Sequence, residues 1–165
     1  MVYKNSEMDS KEHQYELMVN EHKRTIYTVC YMFSNDTAQV EDYFQEILIR
    51  LWLGFDSFRN EANPRTWIYR VSLNTCLNLE HKKLRQVPTV PLSVDIDPYH
   101  DSDPDTLQIR QLHQLINRLD ILDRALVLLW LEGISYEEIG AIMGISAKNV
   151  SVRLVRIKAQ LIQMK

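Results

Sequence analysis

Residues 133–158 constrain the fold most, because their pattern is that of two short helices joined by a tight turn. Ser135, with Glu138 three residues later, forms a capping box and predicts a helix that begins directly after the serine. Gly144 can supply the left-handed residue that ends this helix, and Ser146 can cap the next one. The stretch therefore predicts a helix-turn-helix.

The second helix of this motif separates apolar from basic side chains. Its inward positions recur at spacings of four, three and four: Val150, Leu154, Ile157 and Leu161. Its outward positions are polar or basic: Lys148, Asn149, Ser151, Arg153, Arg156 and Lys158. Residues 144–165 hold five basic residues and no acidic one, although the whole chain has a net charge of −3. Two-helix corners are often purely structural, but a basic outward face favours insertion into the major groove of DNA.

The composition favours an all-α protein. Of 165 residues only four are glycine and five proline, and 45% are apolar, which is enough for helical cores. Cys30 and Cys76 have no partner at metal-site spacing, which suits a reducing cytoplasm. The N-terminus lacks the apolar core of a signal peptide. The longest apolar run, residues 125–131, is far shorter than the roughly 20 residues that span a bilayer. We expect a cytoplasmic protein without membrane insertion.

The charge is distributed unevenly along the chain. It amounts to −3 in residues 1–22, +2 in 23–85, −5 in 86–106 and +3 in 107–165. The segment 86–106 contains four prolines and five aspartates and cannot form a core. We therefore expect two small helical domains, 1–87 and 107–165, joined by a flexible acidic linker over 88–106.

The first domain is expected to contain three helical segments: helices over about 11–33, then one helix over about 37–53 and one over about 67–85. The expected core of the first segment is Leu17, Ile26, Val29, Cys30 and Phe33. The helix over 37–53 has an apolar stripe of Val40, Phe44, Ile47, Leu48, Leu51 and Trp52. Its opposite face carries Asp42, Gln45, Glu46 and Arg50, and such charged faces are usually just solvated surface. A loop rich in turn formers precedes the helix over 67–85.

The second domain is expected to open with an apolar stripe of Leu112, Leu115, Ile116 and Leu119, followed by a buried helix that ends at Gly133. Neither domain contains a catalytic motif. There is no GxSxG, no P-loop and no histidine pair with a carboxylate or cysteine at metal-ligand spacing. The linker aspartates lack the glycine and the glutamate of a calcium loop. We therefore expect no enzyme activity, no metal and no cofactor.

Three stretches in order make the chain resemble a sigma factor of the extracytoplasmic-function (ECF) group. VEDYFQE at 40–46, continuing into IRLW at 49–52, resembles the helix that such factors dock on RNA polymerase. Residues 55–59, PRTWIYRV at 64–71 and Asn74 resemble the promoter-melting segment. LEGISYEEIG at 131–140, with Met143, Gly144 and Val150, resembles the domain that binds the −35 element. Together these stretches cover nearly all of 20–163.

The resemblance implies partners and roles. The partners are core RNA polymerase, promoter DNA and an anti-sigma factor. The residues expected to bind polymerase are Asp42, Gln45, Glu46 and Arg50. Those expected to recognise and melt the −10 element are Phe58, Arg59, Asn60, Asn63, Arg65, Trp67, Arg70 and Asn74. Those expected to contact the −35 bases are Ser151, Val152, Val155 and Arg156, and those expected to contact the phosphates are Lys148, Asn149, Arg153 and Lys158. Trp67 stands at the start of an amphipathic helix and is also open to being a core residue.

A different class of protein shares the C-terminal motif. A one-component or response-regulator type of helix-turn-helix transcription factor would bind duplex DNA without being a polymerase subunit. Only the C-terminal motif supports that alternative, and co-purification with RNA polymerase would distinguish the two. A purely structural adaptor would leave the basic helix unexplained.

Overall fold

The structure is a computed structural model that describes residues 2–58, 63–85, 111–112 and 114–164. All regular structure in these ranges is helical, which confirms the all-α class. The chain separates into two compact units, Met1–Glu80 and His81–Lys165. The predicted linker, 88–106, lies outside the described residues, so the predicted domain bounds stay a prediction.

The first unit is built from three helices. They are α1 (Val2–Phe33), α2 (Thr37–Gly54) and α3 (Pro64–Arg85, whose last turn lies beyond Glu80), with a short 3-10 turn at Phe55–Ser57. Asp36 caps α2, because its carboxylate accepts a hydrogen bond from the Ala38 N–H at 3.2 Å. Asn63 caps α3 in the same way, accepting from the Arg65 N–H at 3.0 Å.

The start of α3 differs from expectation. The sequence pattern places this start near Trp67, but the helix begins three residues earlier, at Pro64. Proline fits the first helical position, because the N–H that it lacks would have no partner there. The first turn of α3 is therefore Pro64 to Trp67.

The core of the first unit is formed by all three helices. Its fully buried members include Ile26, Val29 and Cys30 of α1, Val40, Ile47 and Leu51 of α2, and Ile68, Tyr69 and Cys76 of α3. Leu17 was expected in this core but is exposed. Nine residues at 100° each turn it to the face opposite Ile26. Tyr15 takes the inward place instead, with its hydroxyl donating to the Leu48 carbonyl oxygen at 2.7 Å.

A partly buried polar contact joins α2 to α3 in this core. The Tyr43 hydroxyl donates a hydrogen bond to the Glu80 carboxylate. Burial, followed by this hydrogen bond and the nearby negative charge, raises the pKa of Tyr43 far above its usual range. The sequence stripe of α2 did not include Tyr43, although its ring is almost fully buried.

The second unit contains the helix-turn-helix. Residues 111–112 and 114–117 are helical and are followed by α4 (Ile121–Leu131), α5 (Tyr136–Met143) and α6 (Ala147–Gln163). Its core includes Ile116, Leu119, Leu126, Leu129, Ile139, Ile142, Val150, Leu154 and Ile157. Leu112, which was expected in the same stripe as Ile116, is exposed.

The caps of α5 and α6 confirm the expected motif. The Ser135 hydroxyl accepts from the Glu138 N–H, and the Ser146 hydroxyl accepts from the Asn149 N–H, each at 3.2 Å. Gly144 ends α5 with φ of 73°, a left-handed conformation that favours glycine. These three residues set the angle at which α6 leaves the turn.

Candidate functional site

The outward face of α6 is apolar at its centre and polar at its edges. Val152 and Val155 are 60% and 67% exposed, although they lie on a helix whose opposite face is fully buried. Lys148, Asn149 and Arg156 are exposed beside them, and Ser151 is half-buried at the edge of this face. An exposed valine can contact the methyl group of thymine, and basic side chains can reach base edges or phosphates. The surface therefore suits the major groove.

Two arginines of α6 face one carboxylate of α4. Asp123 Oδ1 lies 3.7 Å from Arg153 Nε, and Asp123 Oδ2 lies 3.9 Å from Arg156 Nη2. The Asp123 side chain is only 13% exposed, whereas the Arg153 and Arg156 side chains are 30% and 65% exposed. The two guanidinium groups therefore differ in how much of each remains available to DNA.

A second residue of α4 contacts the other side of α6. The Lys158 ammonium lies 4.1 Å from the centroid of the Trp130 ring, which is cation–π geometry. Sequence reasoning missed both Asp123 and Trp130. They belong to the apolar stretch of α4, where the helical period predicts burial but not which basic side chain each residue meets.

The polar face of α2 is presented to solvent as expected. Asp42 and Gln45 are exposed, and Glu46 forms an ion pair with Arg50 one turn later at 3.1 Å. An exposed pair at this spacing contributes only about 0.3–0.5 kcal/mol, so it leaves both side chains free to exchange partners.

The same face of α2 continues into two apolar side chains. Ile49 and Leu53 are both exposed; Ile49 follows Glu46 by three residues, and Leu53 follows Ile49 by four. They therefore lie on the face that carries Asp42 and Glu46. Sequence reasoning missed them as surface residues, although their spacing could have shown that they lie off the buried stripe.

Phe58 and Trp67 form a stacked pair, one on each side of residues 59–66. Their ring centroids are 4.6 Å apart and their planes differ by 23°. Trp67 is half-buried, and a methyl group added at Gly54 would lie 3.3 Å from its Cζ2 atom. Trp67 is thus both packed against the end of α2 and available as one side of an aromatic platform.

The other residues predicted for the −10 element are placed differently from one another. Asn63 is the cap of α3, so its side-chain oxygen already accepts a backbone hydrogen bond. The Arg65 guanidinium lies 5.7 Å from the centroid of the Tyr69 ring. Arg70 and Asn74 are exposed on α3. Arg59 and Asn60 lie outside the described residues.

The 3-10 turn before Phe58 is held by side chains of α1. Lys11 Nζ lies 2.6 Å from Asp56 Oδ2 and 4.4 Å from the centroid of the Trp52 ring. The Tyr15 ring meets Trp52 and Phe55 edge to face, with centroids 5.1 and 5.6 Å apart. Sequence reasoning missed this cluster, because an isolated lysine and tyrosine in a polar helix carry no signal of their partners.

A metal cluster and a membrane-crossing helix are both absent from the described part of the chain. It contains no cluster of three or more His, Cys, Asp and Glu side chains that could hold a metal ion. Within the same ranges, no helix has both the length and the apolar character that a membrane crossing needs.

Both halves of the chain match models of known families. The model of Sigma-70 region 2 matches residues 18–86, and the model of Sigma-70 region 4 matches residues 109–161. The first unit and the helix-turn-helix unit thus correspond to two regions of one class of protein, in the order in which that class carries them.

Curated relatives and solved structures agree with these matches. The ECF RNA polymerase sigma-E factor of Escherichia coli K12 is 30% identical over 134 residues, covering 73% of this chain and 70% of the relative. RNA polymerase sigma factor NccH of Alcaligenes xylosoxydans xylosoxydans is 27% identical and covers 87% and 82%. The sigma factor RpoE from Bartonella quintana, solved with the anti-sigma factor NepR, has the same fold at a TM-score of 0.74 and 22% identity, covering 90% of this chain and 94% of that one.

These findings define the class of the protein as a sigma factor. The chain belongs to the ECF group of RNA polymerase sigma factors. It therefore acts with RNA polymerase in transcription initiation, and the alternative of a regulator that works without the polymerase is not supported.

Proposed function

We propose that the first unit, within residues 1–87, docks on core RNA polymerase through the outward face of α2. Asp42, Gln45, Glu46 and Arg50 would meet a surface of opposite charge, which steers the encounter and fixes its register. Support comes from the exposure of Asp42, Gln45 and Arg50, with Glu46 half-buried beside them, and from the match of this unit to region 2.

The same unit captures and melts the −10 element. Extraction of a base from a duplex costs a few kcal/mol of stacking, which aromatic and hydrogen-bonding side chains must offset. The Phe58–Trp67 stack offers an aromatic surface, and the side chains assigned to the strand around it are Arg59, Asn60, Asn63, Arg65, Arg70 and Asn74. Because Asn63 also caps α3, its contribution to DNA would come from the amide nitrogen.

The predicted domain 107–165, which lies in the second unit, reads the −35 element through α6, and the exposed face of α6 is the observation that carries this proposal. Ser151, Val152, Val155 and Arg156 approach the bases. Lys148, Asn149, Arg153 and Lys158 approach the phosphates. The ion pair of Arg153 and the ring contact of Lys158 orient these two cations before DNA arrives.

The protein is a cytoplasmic transcription factor without enzyme activity of its own, and an anti-sigma factor controls it. Two solved neighbours support this last point, since RpoE was solved with the anti-sigma factor NepR, and CnrH with the cytosolic domain of CnrY. CnrH has the same fold at a TM-score of 0.67 and 20% identity, covering 93% of this chain and 88% of that one. The segment 88–106 would join the two DNA-binding units so that the second contact is intramolecular.

Run-off transcription with core polymerase on a library of promoters tests this function. The parent protein should select a family of promoters with two conserved elements. Arg156→Ala should cost about 1–3 kcal/mol of binding at one −35 position, if its guanidinium pairs with a base. Lys158→Ala should weaken all promoters alike and lower the salt dependence.

Gln163→Ala is the matched control, because Gln163 is exposed near the C-terminal end of the same helix. It should transcribe every promoter as the parent does. If Arg156→Ala and Lys158→Ala are also indistinguishable from the parent on every promoter, α6 does not read the −35 element.

A further inference from the structure

We propose that Asp123 is a positioning residue that orients the Arg156 guanidinium and so determines how sharply α6 discriminates between promoters. The proposal rests on the proposed −35 role of α6 and goes beyond it, since Asp123 lies on a different helix and does not face DNA. What points to it is the juxtaposition of one buried carboxylate with two arginines of α6.

The carboxylate of Asp123 requires a positive partner. Its side chain is 13% exposed, and its Oδ1 atom is buried with no hydrogen-bond partner among the residues that the structure describes. A buried carboxylate without compensation is costly. The position in the first turn of α4 helps, because the positive end of the helix dipole favours an acid there. The remaining compensation comes from Arg153 and Arg156.

The two arginines share the carboxylate unequally. Arg153 lies nearer, at 3.7 Å, and is the less exposed of the two, so it is the anchor. Arg156 lies at 3.9 Å from the other carboxylate oxygen and keeps 65% of its side chain exposed. Both separations exceed the 2.7–3.2 Å of a hydrogen bond, so the contact directs the guanidinium without locking it. Arg156 can therefore extend to a base while Arg153 continues to compensate Asp123.

This arrangement favours selectivity over general affinity. An arginine that is already restricted in direction loses less side-chain entropy when it pairs with a base through both of its nitrogens. The negative charge behind it also reduces the attraction of α6 for phosphates in general. Removal of the Asp123 charge should therefore weaken binding to the selected promoter more than binding to other sequences.

The test compares Asp123→Asn with Asp120→Asn in the complete holoenzyme. Asp120 lies three residues earlier at the start of α4, is exposed and makes no side-chain cap hydrogen bond, so its replacement removes the same charge without removing the arginine contact. The readout is the ratio of affinities for a selected promoter and for the same promoter with its −35 element scrambled. Asp123→Asn should lower this ratio by about three- to tenfold, the range expected from ordering one long side chain. Asp120→Asn should leave it unchanged.

A double-mutant cycle shows whether Asp123 acts through Arg156. In the Arg156→Ala background, Asp123→Asn should have no further effect on the ratio. An equal loss in both backgrounds overturns the positioning role, as does an unchanged ratio for Asp123→Asn alone. Asp123→Glu, which keeps the charge, should restore part of the ratio. If Arg156→Ala itself leaves the ratio unchanged, it is the proposed reading role of α6 that fails.

A second measurement needs no variant at Asp123 and so remains informative if Asp123→Asn fails to fold. In the parent protein, nuclear magnetic resonance relaxation of the arginine Nε–H groups reports their mobility. Arg153 and Arg156 should be more ordered than Arg70, which is exposed on α3. If all three arginines are equally mobile, the carboxylate does not orient them.

Discussion

Trp67 lies nearly flat against Phe58, with ring centroids 4.6 Å apart. One ring belongs to the first turn of α3 and the other directly follows the 3-10 turn at the end of α2. The stack therefore fixes the distance between Phe58 and Trp67, which stand on either side of the segment proposed to melt promoters. The indole is packed on one side and paired with an aromatic ring on another, and its contact with DNA stays a prediction.

Phe58→Ala should impair promoter melting more than it impairs folding. Loss of the stack should lower the free energy of unfolding of the first unit by about 0.5–1.5 kcal/mol, the value of an aromatic pair beyond its burial. The open complex should form less completely, as measured by permanganate reactivity of unpaired thymines. Tyr31→Ala removes an exposed aromatic ring on α1 that is not part of this stack, and should melt promoters normally. Full melting by Phe58→Ala would exclude the stack from this role.

Charge reversal on α2 should abolish binding to core polymerase without unfolding the protein. Asp42→Lys with Glu46→Lys changes side chains that point away from the buried stripe, so helicity should be retained. Affinity for core enzyme can be measured by fluorescence anisotropy of labelled sigma factor. Glu12→Lys with Glu16→Lys is the matched control, since it reverses two exposed acids at the same spacing on α1. Equal affinity of the two double variants would place the docking surface elsewhere.

Local chain chemistry made the helix-turn-helix predictable. Ser135, Gly144 and Ser146 each act through backbone groups within a few residues, so their roles can be derived from sequence alone. The stripe of α2 was predictable for a similar reason, because a long amphipathic helix has one apolar face in any packing arrangement. The polar face opposite it followed directly.

Contacts between helices were not predictable in this way. Asp123 stands in an apolar stretch, and only the crossing of α4 and α6 brings it to Arg153 and Arg156. The partners of Lys11 in the first unit likewise depend on where α1 meets the end of α2. Both cases depend on tertiary geometry, which periodicity does not encode. The outward position of Leu17 is different, because its helical phase opposite Ile26 follows from the spacing in the sequence.

Two glycines near the turn of the helix-turn-helix should respond differently to alanine. At Gly144 an added methyl group meets nothing within 4 Å, so the cost is only that of the left-handed backbone, about 1–2 kcal/mol. At Gly140 the methyl group would lie 2.6 Å from the Ile145 carbonyl oxygen, so α5 and the turn must move apart. Gly140→Ala should therefore cost more, about 2–3 kcal/mol, in thermal or urea unfolding.

The same two variants should differ in DNA binding. Because Gly140→Ala displaces the turn that precedes α6, it should also reduce affinity for the −35 element at temperatures where the protein remains folded. Gly144→Ala should bind normally under those conditions. If Gly140→Ala loses no more stability than Gly144→Ala, the close approach at Gly140 is relieved by a small local movement and the predicted order is wrong.

Tyr43→Phe should change how stability depends on pH above about 10. The pKa of Tyr43 is raised in the folded protein, mainly by burial and then by the hydrogen bond to Glu80, whereas the unfolded chain titrates near the ordinary value of 10.0. As the pH rises past that value the unfolded state loses its proton first, so the folded state is disfavoured by up to about 1.4 kcal/mol per pH unit. Phenylalanine cannot ionise, so the variant should lose less stability than the parent over this range, as measured by urea unfolding at a series of pH values.

At neutral pH the parent should be more stable than Tyr43→Phe. Tyr43→Phe removes the donor to the Glu80 carboxylate and should lower the free energy of unfolding by about 1–2 kcal/mol. The two stability curves should therefore converge, and then cross, as the pH rises above 10. Tyr31→Phe, at an exposed position on α1, should follow the parent curve throughout. Parallel curves for Tyr43→Phe and the parent would mean that the Tyr43 hydroxyl ionises as readily in the folded protein as in the unfolded chain, and that the contact between α2 and α3 gives way before the proton is lost.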